Sequence, residues 1–360
     1  MKFPAQFLIA AAISCFAMTA FAQDFDCPSA DCVVVRQDGA TTGSQIGVYD
    51  TIQAAILAAP SQGFSEILVY PGEYRETLQI NQGGLTLRAI DGPLLTCING
   101  ADDTDSTIPV VSLGFAQEVT LIGFNIRGGG YGVFLSDSAE VRLQNCVVEG
   151  NRISGIYSEW TTINVTPPQL TVSNCVVTNN AGNGIDVILP SVNPTTCSFT
   201  TIQNSIVSEN AGVGIYVSFL TAFSTQSTPN ESERFQMQYN LVTANVVGNY
   251  GGFLLGIGGK LPIPATNASN LSVGFLDSSP GCGRDVRLRT NSQARNAGWP
   301  TTAFRDPDGS RNDLGVFGGP FAAGFFTTID DGPVVKQVTP LGTIRISDGP
   351  FTIEAVGAAR

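Results

Sequence analysis

The sequence predicts an all-β solenoid, a coil of three short parallel strands per turn. The first observation behind this is one phrase written four times. Its copies are Val119-Thr-Leu-Ile-Gly-Phe-Asn-Ile…Gly132-Val-Phe-Leu, Val141-Arg-Leu-Gln-Asn-Cys-Val-Val…Gly155-Ile-Tyr-Ser, Leu170-Thr-Val-Ser-Asn-Cys-Val-Val…Gly184-Ile-Asp-Val and Thr200-Thr-Ile-Gln-Asn-Ser-Ile-Val…Gly214-Ile-Tyr-Val. Their starts lie 22, 29 and 30 residues apart, and a looser fifth copy begins 35 residues later at Phe235-Gln-Met-Gln-Tyr-Asn-Leu-Val. Repeats of this length made of short apolar runs mark a solenoid. The second observation is that each copy holds three β-type runs separated by Asn- and Gly-rich corners. No copy has a segment long and periodic enough for a packed helix, which excludes a leucine-rich or ankyrin-type repeat. The third is composition: only 13% of residues are charged, and 40 of the 360 are Gly, as suits a β-rich chain with many turns.

The elements follow in chain order. Lys2 precedes an apolar run from Phe7 to Phe21, and Ala20-Phe21-Ala22 is a small-residue cleavage site before Gln23. Residues 1–22 therefore read as a signal peptide, too short and wrongly flanked for a membrane anchor. This places the protein outside the cytoplasm: secreted, periplasmic or on the cell surface. Residues 23–47 form an N-terminal segment with one apolar run, Val33-Val-Val35. Asp50-Thr-Ile-Gln53 reads as an N-cap with Gln at the third helical position. The following Ala54-Ala-Ile-Leu-Ala-Ala59 places Ile52, Ile56 and Ala59 on one face of a short helix. An open solenoid end needs covering, so this helix is read as a cap. Strands begin with Glu66-Ile-Leu-Val, and Leu78-Gln-Ile80 and Leu85-Thr-Leu-Arg88 continue the coil.

Stacked rungs put equivalent residues in columns. Asn145, Asn174 and Asn204 fall at one corner, where side-chain amides can bond their neighbours along the axis and satisfy corner backbone groups. Cys146 and Cys175 then stack inward as small apolar core residues. Of the seven cysteines left after cleavage, Cys27 and Cys32 are the nearest disulfide candidates. Cys97, Cys197 and Cys282 admit several pairings.

Asp50-Thr-Ile-Gln-Ala-Ala-Ile, Ile67-Leu-Val-Tyr-Pro-Gly-Glu-Tyr and Gly84-Leu-Thr-Leu-Arg-Ala resemble the opening of right-handed parallel β-helix proteins of the pectate-lyase-like superfamily. The Asn-Cys-Val-Val and Gly-Ile-Tyr-Val rungs look like the same family's repeat, so the matching segments run from about residue 48 to about 260. The resemblance implies a right-handed parallel β-helix over 48–320, including its C-terminal cap. It leaves the activity open, because the family holds lyases, hydrolases, esterases and phage tailspikes. Residues 321–360 form a tail in which Thr343-Ile-Arg-Ile-Ser347 and Phe351-Thr-Ile-Glu-Ala-Val356 flank a turn, as in a hairpin.

Composition narrows the chemistry. The chain has no histidine, which excludes His-based nucleophilic and acid–base catalysis and His-ligated zinc. A net charge of −12 argues against nucleic acid or an anionic membrane as partner. Any reaction must run on carboxylates, Arg, Lys, Tyr or a hard metal ion. Alternation along the Gly-Ile-x-Val strand turns Val133, Ile156, Ile185 and Ile215 inward and Phe134, Tyr157, Asp186 and Tyr216 outward. The next outward row is Ser136, Glu159, Ile188 and Ser218. With rungs roughly 4.8 Å apart, this is a compact patch of aromatics with carboxylates on adjacent rungs. Phe134, Tyr157 and Tyr216 are the expected sugar-stacking residues, and Asp186 and Glu159 the expected acid–base pair. In the resembled enzymes the active site lies on the outer face of one such sheet, which implies a comparable place here. The polygalacturonase and pectin esterase motifs themselves are missing.

Inserts at 190–198 and 220–234 both follow this strand, as binding loops on one face do. Asp306, Asp308, Asn312 and Asp313 bring oxygen ligands together in a Ca²⁺-like spacing, with Asp306, Asp308 and Asp313 the expected ligands, although the spacing departs from a full calcium loop. A capping turn is the other reading of that segment. Two functions follow: an exported protein that binds or processes polysaccharide, as a lyase or hydrolase if it turns its ligand over, or a non-catalytic surface protein that uses the coil as a spacer or adhesion platform.

Overall fold

The computed structural model describes residues 32–37, 47–101, 105, 107–114, 118–160, 166–190, 199–220, 235–253, 263–277, 279 and 281–324. Strands stack into three parallel sheets, each strand hydrogen-bonded to its counterpart one rung on. The first sheet runs from Val48–Tyr49 and Cys32–Val35 through Glu66–Val69 to Phe235–Gln238; the second from Gly72–Tyr74 to Leu241–Thr243; the third from Leu78–Ile80 to Gly248–Phe253. This is the parallel β-helix solenoid that the repeat predicts. The four copies and the looser fifth pair in register, with Val119, Val141, Leu170, Thr200 and Phe235 in one column. Inside lies one continuous core of Leu, Ile and Val, with Cys146 and Cys175 both buried and unbridged within it.

Helix α1 (Ile52–Gln62) covers the first rung, burying Ile52, Ala55, Ile56 and Ala59. Its cap differs by one residue from expectation: Thr51, not Asp50, accepts a hydrogen bond from the Ala54 amide at 3.2 Å. The carboxylate of Glu76 takes the Ile52 and Gln53 amides, both at 2.9 Å, so an anion from the coil sits on the positive end of the helix. Gln53 is thereby free of a capping box. Its amide instead pairs with both backbone groups of Gln79, closing part of the third sheet's outer edge.

The corner asparagines play a different part from the one expected. Asn145, Asn174 and Asn204 have φ of 51°, 51° and 52°, in the left-handed region that Asn tolerates. Their side chains do not bond one another. Asn145 donates to the Val316 and Gly318 carbonyls, Asn174 to Asn312 and the Asp313 carbonyl, and Asn204 accepts from the Trp299 amide. The axial ladder belongs to another column, Asn151, Asn180, Asn210 and Asn245. The amide nitrogens of Asn151, Asn180 and Asn210 each donate to the oxygen of the next at 2.9–3.0 Å, and the oxygens of Asn180, Asn210 and Asn245 also accept the preceding residue's backbone N–H at 3.1 Å. All four are buried. Room for them comes from Gly132, Gly155, Gly184 and Gly214, where an added Cβ would stand 2.5–2.7 Å from an asparagine nitrogen. The Gly of each Gly-Ile-x-Val phrase is there for that contact.

Residues 263–324 do not close the far end of the coil as a cap would. They run back along the outside of the second sheet as a strap. Val273, Phe275, Val286, Ala294, Leu314 and Val316 pack on the outward Val147, Val176, Ile206 and Leu241. A disulfide, Cys97–Cys282, ties the strap to an early rung. Beside it the Arg284 guanidinium pairs with the Glu149 carboxylate at 3.0 Å, both side chains fully enclosed. Glu149 also accepts from Asn125 and from the Gly281 amide, each at 3.1 Å. Cys32 is disulfide-bonded as well. Its expected partner Cys27, the signal segment, residues 191–198 and 221–234 of the two inserts and the 325–360 tail lie outside the described residues.

Two stability predictions follow from these contacts. Asn180→Ala removes both sides of a ladder step and leaves the buried Asn151 amide without an acceptor, so it should cost about 3 kcal/mol in urea unfolding. Glu149→Ala leaves the enclosed Arg284 with only its longer pair to Glu209, at 3.6 Å, and should cost about 3 kcal/mol. A cost under about 1 kcal/mol in either case would mean that the group is solvated in the native protein.

Candidate functional site

The strap covers the second sheet and leaves the outer face of the third half-exposed. There the register puts Ser112, Phe134, Tyr157, Asp186 and Tyr216 in one column on five successive rungs. The inward neighbours Val133, Ile156, Ile185 and Ile215 are fully buried, so the alternation read from the sequence holds. The rings of Phe134 and Tyr157 stack with centroids 5.6 Å apart and planes at 21°. Tyr131 completes the cluster, 4.9 Å from Tyr157 and 5.6 Å from Phe134. All three rings are half-buried, which keeps part of each exposed to solvent.

The expected acidic residues reach this cluster. Glu159 and Asp186 both act on the Tyr131 and Tyr157 hydroxyls: burial first, then the charge of Glu159, pushes each hydroxyl above its ordinary value, and Asp186 adds to it. Tyr157 also hydrogen-bonds Glu159. Asp186 is itself raised by burial, and a hydrogen bond from Asn183 at 3.0 Å pulls partly against that. Asn183 is fixed from the other side, where its oxygen accepts the Val213 amide at 2.8 Å. The structure thus brings Phe134, Tyr157, Asp186 and Glu159 together. Tyr216 shares their column one rung beyond Asp186 but makes no ring contact with the cluster.

Two residues escaped the sequence reading. Strict alternation from Val133 and Leu135 would turn Tyr131 inward; it stands at the start of its strand, before Gly132, where the pleat is not yet set. Asn183 precedes Asp186 by three residues in the turn Gly182-Asn-Gly184, and that spacing was its only signal.

The acidic turn at 306–313 lies in the strap, away from this face. The Asp306 carboxylate takes the Gly319 and Asp313 amides at 2.6 and 2.9 Å, Asp308 takes the Ser310 amide at 2.8 Å and Asp313 the Asn296 amide at 2.6 Å. Burial and the neighbouring carboxylates push Asp306 up to about 7. These oxygens face backbone N–H groups and do not converge on a common point. Among the described residues no group of three acidic or cysteine side chains is placed to hold a metal ion. The three carboxylates expected as Ca²⁺ ligands here accept backbone amides of the strap, and Asn312 beside them bonds Asn174. Among the same residues no helix is long and apolar enough to cross a membrane.

Three parallel sheets with sequential strand ladders define a parallel β-helix solenoid. Comparison with known proteins agrees on the coil: the family described as "Right handed beta helix region" matches residues 108–227, about a third of the chain. Among solved structures the chain is similar to the Escherichia coli protein YbhC, at 14% identity and a TM-score of 0.37, covering 71% of this chain and 68% of that one. It is also similar to the pectin methylesterase from carrot, at 12% identity and a TM-score of 0.32, covering 67% and 88%. A pectate lyase matches at 12% identity and a TM-score of 0.33, covering 80% and 96%. No curated protein matches the sequence significantly.

Folding raises the Asp186 pKa, so its contribution to stability is complete below the ordinary value of 3.8 and is lost as pH rises through the folded value. Carbon-detected NMR should show Asp186 titrating above 3.8, and Asn183→Ala should move it higher. Asp186→Asn should gain stability over wild type as pH rises through that range and gain nothing in acid. A fall in the Asp186 pKa on Asn183→Ala would mean that the Asn183 amide does not act on the carboxylate.

Proposed function

We propose that the chain is an exported β-helix protein that binds polysaccharide on the outer face of its third sheet. The observation that carries this is the Tyr131–Phe134–Tyr157 cluster with Asp186 and Glu159 beside it. Aromatic faces stack on the apolar faces of sugar rings, while carboxylates accept from sugar hydroxyls. A binding groove on a β-helix follows the stacked rungs, so successive sugars of a chain meet equivalent positions of successive strands. The inserts at 190–198 and 220–234 follow neighbouring strands of this sheet in the sequence, as binding loops on one face do, and support the reading. Export is supported by the signal-like residues 1–22 and by the Cys97–Cys282 disulfide, which suits an oxidising compartment. A lyase or hydrolase activity would rest on Asp186 and Glu159.

Glycan-array binding followed by calorimetry tests the reading. Tyr157→Ala with Tyr216→Ala should weaken the best ligand at least roughly tenfold, with the unfolding midpoint little changed. Unchanged affinity would sink the proposal and favour a spacer or adhesion platform. Reducing-sugar release and ultraviolet absorbance of unsaturated products, in wild type and Asp186→Asn, report turnover.

A further inference from the structure

Charge is not spread evenly over the three sheets. On the first, the arginines are matched within the sheet: Arg88 pairs with Glu66 and Arg142 with Glu140. On the second, Glu149 is enclosed with Arg284. The third sheet has no Lys or Arg in any of its strands, from Leu78–Ile80 to Gly248–Phe253. Its outer face nevertheless carries Glu159 and Asp186, and neither has an ion-pair partner among the described residues. The nearest arginine in sequence, Arg152, stands in the bend before this strand, five residues from Tyr157. The insert that follows the Tyr216 strand adds Glu231, Glu233 and Arg234, again without a positive surplus.

Two half-buried carboxylates with no cationic partner among the described residues, set against three aromatic rings, make an unbalanced site. A polyuronate would bring more negative charge to it and find, among the described residues of this face, no guanidinium or ammonium to receive the carboxylates. A protonated amine would meet both carboxylates and the electron-rich ring faces of Tyr131, Phe134 and Tyr157. Resting on the glycan-binding reading above, we propose that this face selects a glycan bearing protonated amino groups, a glucosamine-type polymer, over a polyuronate. The rings supply stacking for any hexose, while Glu159 and Asp186 supply the choice of charge. Specificity then lies in two residues on adjacent rungs, and affinity in the aromatic column.

Three hexasaccharides test this by calorimetry at low salt: glucosamine, N-acetylglucosamine and galacturonate, the last in EDTA. The glucosamine hexamer should bind about tenfold more tightly than its N-acetylated counterpart, which has the same skeleton without the charge. The ratio should shrink as salt is added and fall to about one in the double variant Glu159→Gln, Asp186→Asn. Equal affinities for the first two in wild type, or tighter binding of galacturonate in EDTA, would overturn the choice of class. If the ligand that does bind is lost on Tyr157→Ala, the aromatic face remains the glycan site and only the class is wrong. If none of the three binds, the glycan reading falls as well.

Discussion

The structure depends on a requirement at one corner of each rung. Where the chain leaves the second sheet, a backbone amide points into the coil and finds no strand to pair with. An unpaired buried N–H costs on the order of 1–3 kcal/mol, and stacking rungs repeats that cost at every turn. The column Asn151, Asn180, Asn210, Asn245 meets it, because each side-chain oxygen takes an amide from the rung before while each nitrogen passes a bond onward. The glycines beside it are the spatial counterpart, since an added Cβ would collide with the ladder. Both residue types recur in the repeat because a column fails if one rung lacks them.

The strap sets which face of the coil remains available. Packing residues 263–324 on the second sheet buries both sides of its strands, and the disulfide and the enclosed Glu149–Arg284 pair hold it there. An enclosed ion pair contributes little net stability, but its geometry admits one register of strap against rung. The corner asparagines at 145, 174 and 204 act in the same way, offering amides to the strap in place of one another. The first sheet presents neutralised charge, the second is covered, and the third keeps its aromatics and unmatched carboxylates half in water.

Much of this was legible in the columns of the repeat. The inward aliphatics, the buried cysteines and the outward row Phe134, Tyr157, Asp186, Tyr216 follow from period two and a fixed rung length. The strap had a signal that went unread. Val147-Val148, Val176-Val177 and Ile206-Val207 are apolar at consecutive positions, and a strand apolar on both sides is covered on both sides. Tyr131 and Asn183 had no comparable signal, since each stands at a strand start, where alternation does not apply. The Asp306–Asp313 turn shows the converse: carboxylates spaced like calcium ligands are equally spaced to accept backbone amides, and only their surroundings separate the two uses.

By itself the sequence determined the coil, its rung length, its inward core and the face on which aromatics and acids meet, because these depend only on alternation and repetition along the chain. Tertiary structure decided which asparagine column forms the ladder, where residues 263–324 lie and which acids stand without a cation. The ladder joins residues 29 to 35 apart and the strap joins segments more than 100 residues apart, as between Glu149 and Arg284 or Asn174 and Asn312, and no local pattern encodes such distances.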